Sequence, residues 1–265
     1  WQQSFHIMPW LLPIVAYLVG SIPFGVLIAR SKGIDIRKHG SGNVGATNVF
    51  RIVGKGFGIS CLLLDFLKGF IPVLVATNLL RVAGAEPAFS IPFLSNPTKL
   101  FPADQQLYVH TLQVVTALAA IMGHNYSLFL RGGGGKGIAT SAGVLVALLP
   151  TVFLGALLVF GAAFYFTRYV SLGSIIGAIS IPVFAHLNDR LRHLDGDQSL
   201  PTYWESGSWN KPLMAFTVVA ALLAIWRHRS NIQRILAGTE DRLESRKTTK
   251  NVAPVKPSED PDEHS

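Results

Sequence analysis

The chain has 265 residues, of which 49% are hydrophobic and 14% are charged, and its formal net charge is +8. A soluble domain carries about 25% charged residues, so this composition excludes an ordinary soluble protein. The sequence holds no basic stripe interleaved with aromatic residues, which argues against nucleic acid as a partner. The excess of basic residues instead favours membrane lipids or anionic substrates.

Six apolar segments of 14 to 30 residues, near or above the length that crosses a bilayer, follow one another along the chain. A membrane-spanning helix needs about 20 apolar residues, with a lower limit near 17. The apolar segments are 7–29, 57–80, 108–122, 137–166, 172–187 and 213–226. These continuous blocks predict an all-α, polytopic membrane protein, because a membrane barrel would show short alternating segments.

The number and direction of the spans follow from charge and from one proline. Segment 137–166 is too long for one upright helix and has Pro150 in its middle. Two short helices hinged near Pro150 give seven spans and bring the segments rich in Lys and Arg to one side. The positive-inside rule then predicts an outside N-terminus and a cytoplasmic C-terminus. Segment 7–29 lacks a basic start and a cleavage site, so it is interpreted as a retained helix.

The chain divides into a transmembrane domain, residues 1–240, and a tail, residues 241–265. The tail is polar, contains prolines and has no hydrophobic periodicity. It is therefore predicted to be a disordered cytoplasmic segment.

The first polar segment with chemical character is HGSGNVGATNVFR, residues 39–51. Its glycines permit backbone conformations that turn several N–H groups into one concavity, and its arginine can grip a phosphate with two hydrogen bonds. The candidate ligands of a phosphate are Ser41, Gly42, Asn43, Gly45, Thr47, Asn48 and Arg51. The alternative is an ordinary flexible loop of turn-forming residues.

The second segment is GHNYSLFLRGGGGKGIAT, residues 123–140. Glycines followed by a helix start make an anion site, with lysine as a point charge. The candidates are Gly134, Gly135, Lys136 and Gly137. The spacing differs from that of a P-loop, so nucleotide binding is not expected. The alternative is a hinge that carries one lysine.

The third segment is WRHRSNIQRILAGTE, residues 226–240, in which His228 and Asn231 share one helix face. A basic helix at the membrane interface explains its arginines equally well, but not this pair. Asp65 and Lys68 lie three residues apart inside a span. Ionisable residues there are costly and are paired or functional, so these two are kept as further candidates.

Taken together, these segments resemble one family, the bacterial acyl-phosphate:glycerol-3-phosphate acyltransferases of the membrane. LLLDFLKG at 62–69 and RYVSLGS at 168–174 also resemble this family and add Ser171 and Ser174 as substrate-binding candidates. The chain departs from the family's usual residues at Ser127, Gly132 and Gly133. The resemblance implies transfer of an acyl group from acyl phosphate to the 1-hydroxyl of sn-glycerol 3-phosphate. The product would be lysophosphatidic acid, in the first step of phospholipid synthesis at the bacterial inner membrane.

The resemblance also implies roles for individual residues. Arg51, Lys136 and His228 would bind the glycerol phosphate, while Ser41, Thr47 and Asn231 would orient its hydroxyls. The loops 42–45 and 134–137 would hold the acyl phosphate. Of these residues, the catalytic candidates are Ser41, Lys136, His228 and Asn231. An enzyme that forms the acyl phosphate is the implied upstream partner.

The sequence also limits the mechanism. The motifs hold no Cys–His pair and no Ser–His–Asp set, so direct attack by the substrate hydroxyl is favoured over an acyl-enzyme. His228 as general base is the competing hypothesis. No cofactor and no metal are expected, because the histidines lack paired ligand spacing. A transporter of organic phosphates is the alternative from another class, although transporter sites lie in broken helices near the bilayer midplane.

Overall fold

The computed structural model describes residues 8–83, 86–94, 99–194 and 211–243, and they are mostly helical. The helices, in chain order, are α1 (Met8–Gly20), α2 (Phe24–Arg30), α3 (Ala46–Ile52), α4 (Lys55–Leu79), α5 (Gln106–Asn125), α6 (Ile138–Leu148), α7 (Pro150–Thr167), α8 (Val170–Leu194), α9 (Lys211–Arg227) and α10 (Arg229–Leu236). Every apolar segment of the sequence thus forms one helix or a pair of helices.

Two of the apolar segments are broken by proline chemistry. The first divides into α1 and α2, and Pro23 stands immediately before α2. The long segment divides into α6 and α7 at Leu149, which has φ −142° and ψ 65°. A residue before proline is driven out of the helical region by the proline ring, and this explains the break. The hinge near Pro150 is confirmed.

Five of the described helical segments are long and apolar enough to cross a membrane: Pro9–Arg30, Lys55–Leu79, Ala103–Leu130, Pro150–Thr167 and Val170–Asn188. The α9–α10 pair makes a sixth if its 56° bend is counted within one span. Helix α6 has only 11 residues. The count of seven spans therefore remains a prediction. Large apolar side chains such as Leu158 (75% exposed) and Phe166 (81% exposed) point outward from α7, as expected of helices that contact lipid.

The core forms where the apolar helices pack in pairs, α4 against α6, α1 against α5 and α7 against α8. Glycines permit the closest approach. A Cβ atom added to Gly143 on α6 would overlap the carbonyl oxygen of Phe66 on α4, and one added to Gly69 would overlap the carbonyl oxygen of Thr140. This tight α4–α6 contact places the start of α6 beside the polar residues of α4.

A short pair of parallel strands, β1 (Leu80–Val82) and β2 (Lys99–Phe101), departs from the all-α prediction. Leu80, Val82 and Phe101 form a small cluster with Val109 and Leu112 of α5. The Gln113 side chain donates to the Leu80 carbonyl over 2.9 Å. Each strand has only three residues, which is too short for the alternation of apolar and polar residues that predicts a strand from sequence.

Parts of two predicted segments lie outside the described residues. The connector between the apolar segments 172–187 and 213–226 begins inside helix α8, which continues to Leu194, and its residues 195–210 are outside. Of the predicted tail, residues 244–265 are outside, while Asp241, Arg242 and Leu243 are described. The Leu243 N–H donates to the Arg168 carbonyl over 2.9 Å, so the chain runs from α10 to the α7–α8 junction.

We expect Gly143→Ala to lower the melting temperature of the detergent-solubilised protein by roughly 3–10 °C. Overpacking costs about 1–3 kcal/mol, and each kcal/mol corresponds to about 2–4 °C in a chain of this size. The measurement is thermal unfolding followed by scattering and fluorescence. Gly161→Ala on α7 is the matched control, because nothing lies within 4 Å of the added Cβ. An equal loss in both variants would contradict close packing of α4 and α6.

Candidate functional site

The opening loop, residues 39–45, is held in shape by its own backbone and by α3. Gly40 and Gly42 adopt φ values of +59° and +68°, in the region that favours glycine. The Asn43 side chain accepts from the Gly45 N–H over 2.9 Å, immediately before α3 begins. The loop therefore enters α3 in a fixed orientation and presents Ser41 and Thr47 to the same side.

The buried side chain of Asn48 holds this loop in place by hydrogen bonds. Its amide nitrogen lies 3.3, 3.0 and 2.9 Å from the carbonyl oxygens of Ile36, His39 and Asn43, and its oxygen accepts from the Ser41 N–H over 3.2 Å. The residue is 2% exposed. We predicted Asn48 as a substrate ligand; the structure instead gives its side chain the task of holding the loop together.

The glycine-rich loop before α6 is pressed against the end of α5. A Cβ on Gly134 would overlap the carbonyl oxygens of His124 and Asn125, and one on Gly135 would overlap the His124 ring. The Gly135 N–H donates to the His124 carbonyl over 3.1 Å. The Gly135 N–H is therefore already bound within the protein, and both glycines are required by the close packing of the loop against α5.

The residues that depart from the family's usual pattern have clear places in this loop. The buried Ser127 hydroxyl donates to the Ser21 carbonyl over 2.5 Å, which ties the loop to the α1–α2 break. Gly132 and Gly133 are exposed at its tip, and Gly132 has φ +83°. Gly137, with φ +81°, ends the loop and starts α6.

His228 lies at the junction of α9 and α10. Its Nδ1 donates to the Ala224 carbonyl over 2.8 Å, because a carbonyl oxygen can only accept. In the neutral ring, Nε2 is then left with its lone pair. Asn231 follows one turn later and is 4% exposed.

Most of the predicted site residues line one cavity. Its volume, about 190 Å³, is an order of magnitude above the roughly 10–15 Å³ that one water needs, so a small polar molecule can enter. The predicted residues that line it are Ser41, Asn43, Gly45, Thr47, Asn48, Arg51, Asp65, Lys136, Gly137, Ser171, Ser174, His228 and Asn231. The predicted residues outside its lining are Gly42, Lys68, Gly134 and Gly135.

Lys136 and the start of α6 give the cavity its positive character. The first N–H groups of a helix have no partner within the helix and carry partial positive charge. Here Ile138 and Ala139, in the first turn of α6, line the cavity beside Lys136. Burial of Lys136, together with the charges of Arg234, Arg51 and Arg227, lowers its pKa to about 8.

Glu240 is a site residue that sequence reasoning missed. Its Oε1 accepts from Ser171 Oγ and Asn231 Nδ2, each over 2.6 Å, and its Oε2 accepts from Arg234 Nε over 2.8 Å. Burial alone would raise the pKa of this carboxyl, but these hydrogen bonds outweigh it and hold the pKa below its usual value. The ionised carboxylate therefore neutralises part of the cavity's charge.

Asp241 and Arg234 were also missed. Asp241 Oδ2 lies 3.3 Å from Arg51 Nη1, and its carbonyl accepts from Arg51 Nη2 over 3.1 Å. The signal in the sequence was Gly238, a glycine that ends α10 with φ +68° and turns the chain back toward the cavity. Because residues 241–265 were interpreted as a tail, the predicted domain boundary fell between Glu240 and Asp241, and neither was considered a site residue.

Asp65 and Lys68 form a buried ion pair, with 2.7 Å between Oδ1 and Nζ and side chains 3% exposed. Lys68 Nζ also donates to the Ile22 carbonyl at the α1–α2 break, over 2.8 Å. Asp65 borders the cavity and lies 3.6 Å from the Nδ1 of His124. The pair thus links α4 to the α1–α2 break and to the end of α5, next to the cavity.

Apolar helical spans around a cavity lined by cationic side chains define a class, the polytopic helical membrane proteins. Comparison with known proteins makes this specific. The family model for glycerol-3-phosphate acyltransferase matches residues 10–238. The glycerol-3-phosphate acyltransferase of Geobacter sulfurreducens is 40% identical over 236 residues, 89% of this chain and 97% of that protein. That of Desulforamulus reducens is 40% identical over 244 residues, 92% and 99% of the two chains.

Solved structures agree. The crystal structure of PlsY (YgiH), an integral membrane glycerol 3-phosphate acyltransferase, in its glycerol 3-phosphate form matches with TM-score 0.67 and 36% identity, over 89% of this chain and 96% of that one. Its lysophosphatidic acid form matches over the same shares with TM-score 0.65 and 36% identity. The chain belongs to the glycerol-3-phosphate acyltransferase family and is an integral membrane acyltransferase. The predicted family and enzyme class are confirmed.

We expect Asn48→Asp to lower both the melting temperature and the activity. A carboxylate cannot donate to the three carbonyls that Asn48 now binds, and each buried group left unsatisfied costs about 1–3 kcal/mol. Thermal unfolding and acyltransfer rates measure the two effects. Loss of activity with an unchanged melting temperature would contradict the role of Asn48 in holding the loop together. Asn48 would then again be a candidate for direct contact with substrate.

Proposed function

We propose that this enzyme transfers an acyl group from acyl phosphate to the 1-hydroxyl of sn-glycerol 3-phosphate, giving lysophosphatidic acid and inorganic phosphate. The observation that carries the proposal is the mixed lining of the cavity, which is cationic in part and apolar in part. Arg51, Lys136 and Arg234 supply positive charge, while Leu62, Ile138, Phe160 and Val170 supply apolar surface. A phosphate-bearing substrate and an acyl chain each find a suitable surface there.

Arg51, Lys136 and His228 bind the phosphate of the acceptor in this proposal, with the His228 ring protonated in the complex so that Nε2 can donate. Arg51 can offer a planar fork to phosphate oxygens, and Lys136 adds a point charge. Asn231 is suited to orient a hydroxyl, because its Oδ1 is buried and has no hydrogen-bond partner among the described residues. Ser41 and Thr47 line the same cavity and can bind the remaining hydroxyls.

The phosphate of the donor lies at the start of α6. Gly137, Ile138 and Ala139 line the cavity there, so the first-turn amides and the helix dipole can stabilise an anion. Gly45, Ser171 and Ser174 complete this part of the lining. The acyl chain would extend along the apolar side chains of the lining, such as Leu62 and Phe160.

The proposed chemistry is direct transfer. The C1 hydroxyl of the acceptor attacks the acyl carbonyl carbon, the carbon–oxygen bond to phosphate breaks, and the departing phosphate takes the hydroxyl proton. Positioning of both substrates and neutralisation of their charge supply the rate. Cys61 is buried beside Asp65 and outside the cavity lining, so it is not placed to be a nucleophile.

General-base catalysis by His228 is the competing mechanism, since Nε2 of the neutral ring has a free lone pair. If the ring only binds phosphate, His228→Ala should raise KM for glycerol 3-phosphate more than it lowers kcat. A loss confined to kcat would favour the base.

We also propose that the protein spans the bacterial inner membrane seven times, with N-terminus outside and cavity facing the cytoplasm. Acyl phosphate would then arrive from an upstream enzyme on that side. Because Cys61 is the only cysteine and is buried, single cysteines introduced at exposed loop positions would report sidedness by labelling in intact cells.

The donor is tested with purified protein, palmitoyl phosphate and glycerol 3-phosphate. We expect phosphate release to require glycerol 3-phosphate and to equal lysophosphatidic acid formed, with palmitoyl-CoA inactive as donor. Arg51→Ala should lower kcat/KM at least about 30-fold, because loss of one partner of a desolvated charge pair costs about 2–5 kcal/mol. Arg30→Ala, on an exposed arginine outside the cavity, is the control. Turnover with palmitoyl-CoA alone, or an acyl-protein detected by mass, would contradict the proposal.

Lys136 should make acceptor binding pH-dependent. With a pKa of about 8, it is charged near neutrality and loses its proton as the pH rises. The substrate phosphate, with a second pKa near 6, stays dianionic. KM for glycerol 3-phosphate should therefore rise about tenfold between roughly pH 7.5 and 9.5 in the wild type, and remain nearly flat in Lys136→Arg. Equal slopes in both proteins would contradict the assignment.

Asp241 should weaken acceptor binding, because its carboxylate pairs with Arg51 and competes with the substrate phosphate for that side chain. The carboxylate is 75% exposed, so its ion pair contributes at most about 1 kcal/mol. We therefore expect Asp241→Asn to lower KM for glycerol 3-phosphate by up to about fivefold. Glu86→Gln is the matched control, since Glu86 pairs with Arg81 at the same 3.3 Å and is 78% exposed. A raised KM in Asp241→Asn would show that Asp241 assists binding.

A further inference from the structure

Arg227 ends α9 and reaches across to the glycine-rich loop. Its Nε lies 3.1 Å and its Nη2 2.6 Å from the Gly135 carbonyl oxygen, and Nη2 also lies 3.2 Å from that of Gly134. The guanidinium stands over the Tyr126 ring at 5.1 Å. The side chain is half-buried, and it lies outside the lining of the cavity.

These hydrogen bonds fix the direction of two successive peptide groups. In a trans peptide the C=O and N–H point to opposite sides. The Gly134 carbonyl faces Arg227, and the Gly135 N–H of the same peptide donates to the His124 carbonyl. The loop is thus gripped from both sides, by Arg227 and by the end of α5. The next peptide has its carbonyl on Arg227, so the Lys136 N–H points away from Arg227.

We infer that Arg227 is a positioning residue for acceptor binding: it orients the glycine-rich loop so that Lys136 and the start of α6 face the cavity at a fixed distance from His228. The inference rests on the proposed role of Lys136 at the substrate phosphate. Arg227 and His228 are adjacent in the chain, so one side chain joins the loop and the α9–α10 junction. A planar fork reaches two neighbouring carbonyls, whereas the single ammonium of a lysine is a point donor.

Arg227 also acts on Lys136 through its charge. The charged and titratable groups that surround Lys136 are Arg51, Arg227, His228, Arg234 and Glu240. The arginines lower the pKa of Lys136 and Glu240 raises it, after the larger effect of burial. Removal of the Arg227 charge should therefore shift the fall in acceptor affinity to higher pH. A residue with a merely structural role would not move this profile.

The test compares Arg227→Gln, Arg227→Lys and Arg229→Gln in the full-length protein. Arg229, two residues after Arg227, is an exposed arginine that stacks on Trp226, and it serves as the matched control. Glycerol 3-phosphate binding is measured by calorimetry from about pH 7 to 9.5, without a donor, and thermal unfolding reports the fold.

We expect Arg227→Gln to weaken binding about tenfold at pH 7 and to shift the pH profile upward, because several charge-assisted hydrogen bonds are lost. Arg227→Lys should keep the wild-type pH profile and melting temperature while binding glycerol 3-phosphate more weakly. If Arg227→Gln does not fold, the binding of Arg227→Lys alone decides the test. Arg229→Gln should match the wild type. Binding within twofold of wild type in Arg227→Lys, with an unshifted profile in a folded Arg227→Gln, would overturn the inference.

Lys136→Met, measured in parallel, separates the inference from the proposed function. If Lys136→Met weakens binding and the Arg227 variants do not, only the role of Arg227 is overturned. If Lys136→Met binds as the wild type does, the assignment of Lys136 to the phosphate fails, and the inference fails with it.

Discussion

Charge balance inside the cavity is the constraint on which the site depends. Arg51, Lys136 and Arg234 line one small space and would repel one another if left alone. Glu240 and Asp241 lie among them, and each forms an ion pair with one arginine. The two acids come from the segment after α10, so the end of the described chain neutralises charge contributed by α3, by the glycine-rich loop before α6 and by α10.

The two acids differ in how firmly they are held. The Glu240 side chain is 8% exposed and accepts hydrogen bonds from three residues, whereas Asp241 is 75% exposed and, among the described residues, forms its ion pair with Arg51. Ser171 and Asn231 are buried, and a buried donor that loses its hydrogen-bond partner costs about 1–3 kcal/mol, whereas an exposed ion pair contributes about 1 kcal/mol or less. An incoming phosphate can therefore displace Asp241 from Arg51 far more readily than it can displace Glu240. The geometry gives Glu240 a structural part and leaves Arg51 available to substrate.

Much of the fold could be predicted from the sequence because apolar length and proline position are local signals. The break at Leu149 follows from Pro150 alone, and the placement of His228 and Asn231 in one cavity agrees with their helical spacing. Long-range contacts gave no such signal. Nothing local indicates that Asn48 binds three loop carbonyls, or that the Gly135 N–H is already bound to His124. Glycines before a helix predicted an anion cradle, yet two of them are required by close packing.

The most direct test of this account is a crystal structure of the full chain with glycerol 3-phosphate bound. The account predicts the phosphate in hydrogen-bond contact with Arg51 and Lys136, with the Asp241 carboxylate displaced from Arg51 and Glu240 still bound to Ser171 and Asn231. A phosphate bound outside this cavity, or inside it with the Arg51–Asp241 pair intact, would contradict the account.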